Sequence, residues 1–594
     1  MKSWYGFFDE MLARRFWYGA KKQHREVIQP TKNLESLPMT ETISFESRTT
    51  RWLIPFVLFF GTLLLIGATA KDYGVTWDEP PYFYASDLHV RWIRGFVNNL
   101  TYGELSKSLD DQTIQAAWHW NPYNVPHPPF SRIISGFVKD ILPQSVDKFS
   151  VYRIGPALFF ALLVTVMFLW MKELFGRATG LFSALSVILT PNLFGYAHFA
   201  VTDLPLASMW FLTVFAFWKG LSNWKWSVVL GVLWGLALAT KFPAVLIPVP
   251  LILWAHLFHR DKYVNNVFAL LFIAPIFMIG IQPYLWHQTG LRILEFLYEG
   301  ISRAYRPDAN FMIYFFNQLY FTHQLPWYYS FFMIGVTTPE PFIALALLGT
   351  LSITLRKEHW SVTLLFFFNA TFILCLGLMP GAVLHDGVRQ MLSVLPFIAA
   401  LAGVGFHTLL SWSMSFFRKR YVPMQITRLE TKVSGILVLL VCFSPVLDVY
   451  LCHPFQLSFY NRFVGGIRGA YERGLETTYF MEAITPNFLR ALNDKLPMNA
   501  NVNASVANFM FSLYQKEGRL RPDIKLTEGQ SFNYYVILHR RSVLGPRERR
   551  LISSPTKPFL AIDLAGVPLV SVFEFKAAAK PGDEKIVPKQ ASHS

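Results

Sequence analysis

Charge is scarce in this chain: of its 594 residues only 15% are Asp, Glu, Lys or Arg, against about 25% in a soluble globular domain. With 53% of the residues apolar, that shortage excludes an ordinary water-soluble fold. Cysteine is nearly missing too. Three cysteines cannot build a disulfide framework, and Cys375 and Cys442 fall inside apolar runs while Cys452 stands just after one, so the redox compartment stays open. The histidines and acids keep no ligand spacing such as H-x-x-x-H; no metal site and no required cofactor are expected, although a divalent ion stays open. No cleavable signal peptide is visible in the polar first 50 residues, and the first apolar run is expected to serve as signal and anchor together.

What the chain has in quantity is long apolar runs. Trp52–Thr69, Val151–Met171 and Val433–Tyr450 approach or exceed the ~20 residues that a helix needs to cross a bilayer. In all, about eleven spans are expected, near 53–70, 150–171, 178–196, 204–218, 227–240, 243–258, 264–284, 339–355, 361–379, 391–410 and 433–450. The fold class expected is therefore an α-helical polytopic membrane protein. A net charge of +16 could suggest nucleic acid, but the basic residues lie mainly in short loops between apolar runs, which is the pattern membrane topology produces.

Lys172–Arg177, His259–Lys262, Arg356–His359 and Arg418–Lys432 hold most of those bases and mark the cytoplasmic side. Residues 1–50 would then be a cytoplasmic segment, where Trp4, Phe7, Phe8, Phe16 and Trp17 among Arg14, Arg15, Lys21 and Lys22 fit a helix lying in the headgroups or a basic tail. Residues 51–450 form the membrane domain, with two long outer loops, 71–149 and 284–338. Residues 451–594 also fall outside, as a small α/β domain: Asn533–His539 and Phe559–Phe575 alternate like strands around a turn at Ala565-Gly566, and Pro486–Leu496 reads as a helix.

Five polar motifs collect on the outer side. Trp77-Asp78-Glu79-Pro80-Pro81 places two carboxylates at the mouth of the membrane domain, able to act as a general base or simply to cap a helix. In Asn121–Phe130 (NPYNVPHPPF), His127 precedes two prolines that stiffen the backbone; the same loop could merely lead into an interfacial helix at Phe130–Val138. The turn His198–Pro205 carries Asp203, again fit for a cap. Lys241 stands at the junction of two apolar segments, where a lysine can snorkel to the interface. His385-Asp386-Gly387-Val388-Arg389 precedes a span, and Arg389 could anchor it or hold a phosphate bidentately. Outer-loop aromatics such as Trp118, Trp286 and Trp327 fit a membrane-edge belt.

In their order and spacing, Asp78-Glu79, His127-Pro128-Pro129, Thr202-Asp203-Leu204-Pro205, GLALATKFPA at Gly235–Ala244 and RQMLSVLPF at Arg389–Phe397 resemble the dolichyl-phosphate-mannose protein mannosyltransferase family. They are similar also to its bacterial relatives, including the lipid A aminoarabinose transferases. The resemblance implies the glycosyltransferase C fold and inverting transfer of a sugar from a polyprenyl-phosphate lipid to a glycan, lipid or protein acceptor. Asp78 would be the base, with Asp203 as the second candidate, and Glu79 would orient Asp78 or the sugar. Lys241, Arg389 and His127 would bind the donor phosphate. The chain departs from the family at Phe130-Ser131-Arg132, where a Leu-Gly-Lys-like stretch is usual, and at Phe242, where a glycine is common. A transporter or flippase of lipid-linked sugar is the competing class, but such proteins keep charges near the midplane and show internal repeats, and these spans hold few acids.

Overall fold

The computed structural model describes residues 48–119, 127–143, 145–302, 311–355, 359–379, 382–418, 423–529 and 531–575. The expected N-terminal surface segment Met1–Lys22 and residues 121–126 of the proline-rich motif lie outside them. From Trp52 onward the chain forms one compact unit.

Helices dominate it. Among the described residues four are long and apolar enough to cross a bilayer, Trp52–Asp72, Ser150–Phe175, Arg389–Ser415 and Arg428–Leu451. A fifth crossing arises if Tyr329–Thr337 and Glu340–Thr354, bent by 120° at their junction, count as one. The protein is thus a multi-pass membrane protein. The other expected spans coincide with shorter apolar helices, among them Arg177–Ile188, Trp224–Leu238, Phe242–Phe258, Val264–Gly280 and Trp360–Leu376. Prolines at helix starts divide several of these runs, as at Pro191, Pro243 and Pro248, because a proline N–H is missing and its ring fits a first turn but not an interior.

The outermost helices, Trp52–Asp72 and Arg428–Leu451, bury little of their surface and leave Phe56, Leu64, Leu439, Leu440 and Phe443 exposed, as a lipid-facing stripe requires. Ser150–Phe175 and Arg389–Ser415 are mostly buried and form the centre of the bundle. Helix Leu395–Arg418 crosses Glu340–Leu355 at a glycine pair: a Cβ on Gly405 would lie 1.9 Å from the Leu345 carbonyl oxygen, and one on Gly349 2.1 Å from that of Leu401. Only the lack of a side chain permits this approach.

Both long loops, 71–149 and 284–338, are largely structured. The first contains helices Glu79–Thr101, Asp111–Trp118 and Phe130–Ile141, the last at the place expected of an interfacial helix. The second contains helix Thr289–Ser302, the hairpin β1 (Met312–Phe315) and β2 (Gln318–Phe321), and helix Tyr329–Thr337. The C-terminal region builds a mixed five-stranded sheet from β3 (Asn501–Asn503), β4 (Lys525–Leu526), β5 (Tyr534–Leu538), β6 (Leu560–Leu564) and β7 (Val567–Glu574), in the order β4-β3-β5-β7-β6. Ala565 and Gly566, both at positive φ, make the hairpin turn between β6 and β7. The apolar core of this region is continuous with Val75, Phe83, Phe149 and Tyr152 of the first long loop and its margin.

Candidate active site

The turn Gly74–Asp78 is fixed by a buried guanidinium. Arg153, one turn into helix Ser150–Phe175, donates Nε to Glu79 Oε1 at 2.8 Å and Nη2 to Glu79 Oε2 at 2.8 Å. Its remaining N–H groups reach the carbonyls of Ala70, Tyr73 and Gly74, so all five donors are used. Glu79, wholly buried, also accepts from the Thr76 and Ala200 amides. Its carboxylate therefore points into the protein and holds the turn that carries Asp78.

That neighbour is turned the other way. Asp78 occupies the cap position of helix Glu79–Thr101 without making a side-chain cap bond; its carboxylate is bound by Arg389 Nη2 instead. Asp203 likewise does not cap: Thr202 takes that place, and the Asp203 carboxylate receives Lys241 Nζ at 2.6 Å and Arg389 Nε at 3.2 Å. Lys241 is buried and does not snorkel. Arg389 also donates Nη1 to Asp386 Oδ2 at 3.1 Å, and its plane lies 4.2 Å from the centre of the Phe480 ring. Asp386 and Gly387 sit at consecutive positive φ, which bends the chain so that one carboxylate meets both Arg389 and, at 3.0 Å, Arg540.

Five segments from across the sequence thus deliver three carboxylates and three cations to one cluster. Burial pushes the Asp386 carboxyl up, but Arg540, His385 and Arg389 outweigh it and hold it below the ordinary carboxylate value. Asp78 is the accessible acid: its side chain is 27% exposed, against 1% for Asp203 and 5% for Asp386. His127 lies at the rim, its ring 6.2 Å from that of Tyr82. Phe242 packs on Phe296 and Gly300 and so ties helix Thr289–Ser302 to the Lys241 turn.

Of the residues expected from sequence, Asp78, Asp203, Lys241 and Arg389 meet directly, His127 borders them, and Glu79 stands behind. Arg153, Asp386, Phe480 and Arg540 were missed. Asp386 stood in a motif already noted for Arg389, and Arg153 was legible as a lone charge inside an apolar run; Phe480 and Arg540 carried no signal. Among the described residues no group of His, Cys, Asp and Glu side chains is placed to hold a metal ion.

In overall structure the chain is similar to ArnT from Cupriavidus metallidurans in the apo state, with 14% identity, a TM-score of 0.45, and 89% of this chain and 98% of that one covered. It is similar also to the same protein bound to undecaprenyl phosphate, with 14% identity, a TM-score of 0.44, and 88% and 98% covered. The Archaeoglobus fulgidus oligosaccharyltransferase tethered with an acceptor peptide is 11% identical, with a TM-score of 0.42 and 67% and 55% covered. No curated protein sequence matches. Residues 126–287, however, match the family model described as dolichyl-phosphate-mannose-protein mannosyltransferase. The segment that carries His127, Asp203 and Lys241 is therefore the part of the chain that is similar to that family.

Proposed function

We propose that this protein is an inverting glycosyltransferase of the glycosyltransferase C fold, moving a sugar from a polyprenyl-phosphate donor to an acceptor on the non-cytoplasmic face of the membrane. The observation that carries this reading is the cluster in which one accessible carboxylate, Asp78, is held by Arg389 beside Lys241.

In this mechanism the acceptor hydroxyl gives its proton to Asp78 as its oxygen forms a bond to the anomeric carbon. On the opposite face the bond from that carbon to the phosphate oxygen breaks, and the electron pair leaves with the polyprenyl phosphate. A base so placed is worth about 10²–10⁴-fold in rate. Asp203, buried and shared between Lys241 and Arg389, keeps those two cations in place. Their charge stabilises the leaving phosphate in surroundings from which water is largely excluded, where electrostatic interactions are stronger than on a surface.

The test is sugar transfer by purified protein from a panel of radiolabelled polyprenyl-phosphate sugars, with slow release to water counted when no acceptor is supplied. Turnover that depends on the donor and falls at least 10²-fold in Asp78→Asn, with an unchanged melting curve, is expected. Equal turnover in Asp78→Asn and the parent protein would remove Asp78 as the base.

A further inference from the structure

The cluster around Asp78 is charge-balanced before any donor arrives: Asp78, Asp203 and Asp386 face Lys241, Arg389 and Arg540. Lys241 and Arg389 already face carboxylates, so a donor phosphate brings a negative charge beyond those that the cluster balances. One buried cation nearby has no carboxylate against it among the described residues. Arg132, on the first turn of helix Phe130–Ile141, is 4% exposed, yet its polar partner is the His127 backbone carbonyl, which receives Nη2. Its Nε is buried without a hydrogen bond, and among the described residues it has no carboxylate partner. Burial lowers the Arg132 pKa to about 10, and the opposing influence of Tyr82 is the smaller one.

Its position ties it to the reacting centre. The guanidinium lies 5.7 Å from the centre of the Tyr82 ring, and the charges of Asp78, Arg389, Asp203 and Arg132 all act on that same tyrosine. The amide of Phe130, two residues before it, donates to the Ala239 carbonyl at 2.8 Å, which docks the start of this helix on the turn that carries Lys241. The Arg132 charge also acts on His89, whose Nε2 is a second buried polar atom without a partner. A buried charge without a counter-ion is unfavourable, and a guanidinium fork suits phosphate oxygens in particular.

We propose that Arg132 binds the phosphate of a polyprenyl-phosphate lipid and supplies the counter-charge that the Asp78 cluster lacks. This rests on the glycosyltransferase reading, and it assigns the phosphate to a residue that the family's Leu-Gly-Lys-like stretch replaces by lysine.

The experiment measures binding of polyprenyl phosphate, of the same polyprenol without phosphate, and of inorganic phosphate to the full-length protein in detergent, together with transfer. The parent protein is expected to prefer polyprenyl phosphate over polyprenol. Arg132→Gln should lose that preference by about 10- to 100-fold, the range of one charge-assisted hydrogen bond, and Arg132→Lys should restore part of it. Asp78→Asn should keep the preference while losing transfer. Saturation by inorganic phosphate at the concentrations where the lipid binds would assign Arg132 to a free anion and overturn a lipid site. An undiminished preference in Arg132→Gln overturns the assignment and leaves the glycosyltransferase reading intact. If Arg132→Gln does not fold, the lysine variant decides: a preference equal to the parent's excludes a role for the guanidinium fork. Absence of both preference and transfer in the parent protein overturns both readings.

Discussion

Removing the guanidinium of Arg153 is the sharpest perturbation of this fold. In Arg153→Met the side chain keeps its volume and loses its charge, and Glu79 stays in a fully buried position with only the Thr76 and Ala200 groups as donors. The carbonyls of Ala70, Tyr73 and Gly74 lose their donors as well. Breaking a buried ion pair from one side costs about 3–5 kcal/mol. Glu79→Gln removes the charge from the other side and should cost a similar amount, but the second substitution has little left to break. The double variant should therefore be destabilised by about 3–6 kcal/mol rather than by the sum of the two single effects, a coupling that a double-mutant cycle measures directly. The assay is the folded fraction of purified protein against denaturant, with the exposed pair Arg468–Glu472, whose side chains are 77% and 61% exposed, as the control at about 0.5 kcal/mol or less. Single variants within about 1 kcal/mol of the parent, or strictly additive costs, would refute the claim that this pair fixes the Gly74–Asp78 turn.

Two further outcomes test the packing and the C-terminal sheet. Gly405→Ala should destabilise by about 1–3 kcal/mol or more, because the new Cβ meets the Leu345 carbonyl oxygen at 1.9 Å; Gly435→Ala, whose Cβ meets nothing within 4 Å, should be neutral or slightly stabilising in the same thermal melts. The pKa of His539, which directly follows β5 and has Nε2 2.8 Å from Ser571 Oγ, is depressed by burial and by Arg541 from 6.5 to about 4. Its folded value is the lower one, so the unfolded chain takes up the proton first as pH falls. The stability it contributes is complete above pH 6.5 and is lost on the way down to about pH 4. At ~1.4 kcal/mol per pH unit this amounts to about 3 kcal/mol, and His539→Gln should flatten the pH dependence of unfolding across that window.

Much of the architecture was legible in the residues because membrane burial acts locally: a run of apolar side chains must cross or hide, whatever its neighbours do. The helices near 53–70, 150–171 and 433–450, the amphipathic helix after His127-Pro128-Pro129 and the hairpin at Ala565-Gly566 all follow from patterns a few residues long. The lengths of the crossings did not follow, since apolar runs divided by Pro191 or Pro243 look the same whether one helix continues or two short ones meet. The polar motifs carried a real ambiguity of their own, because a carboxylate before a helix can cap it or serve elsewhere, and the residue types are identical in both cases.

The sequence by itself determined that this is a membrane protein of many helices, with acids and bases gathered between particular spans and a small α/β region at its end. Tertiary structure alone decided what those charges do. It turned Asp78 toward Arg389 and Glu79 toward Arg153, although the two acids are adjacent in the chain, and it brought Asp386 and Arg540 into the cluster from segments with no local reason to meet. It also buried Arg132 with no carboxylate partner among the described residues. Pairing of charges depends on distances across the fold, and residues separated by more than a hundred positions carry no record of such distances in their local sequence.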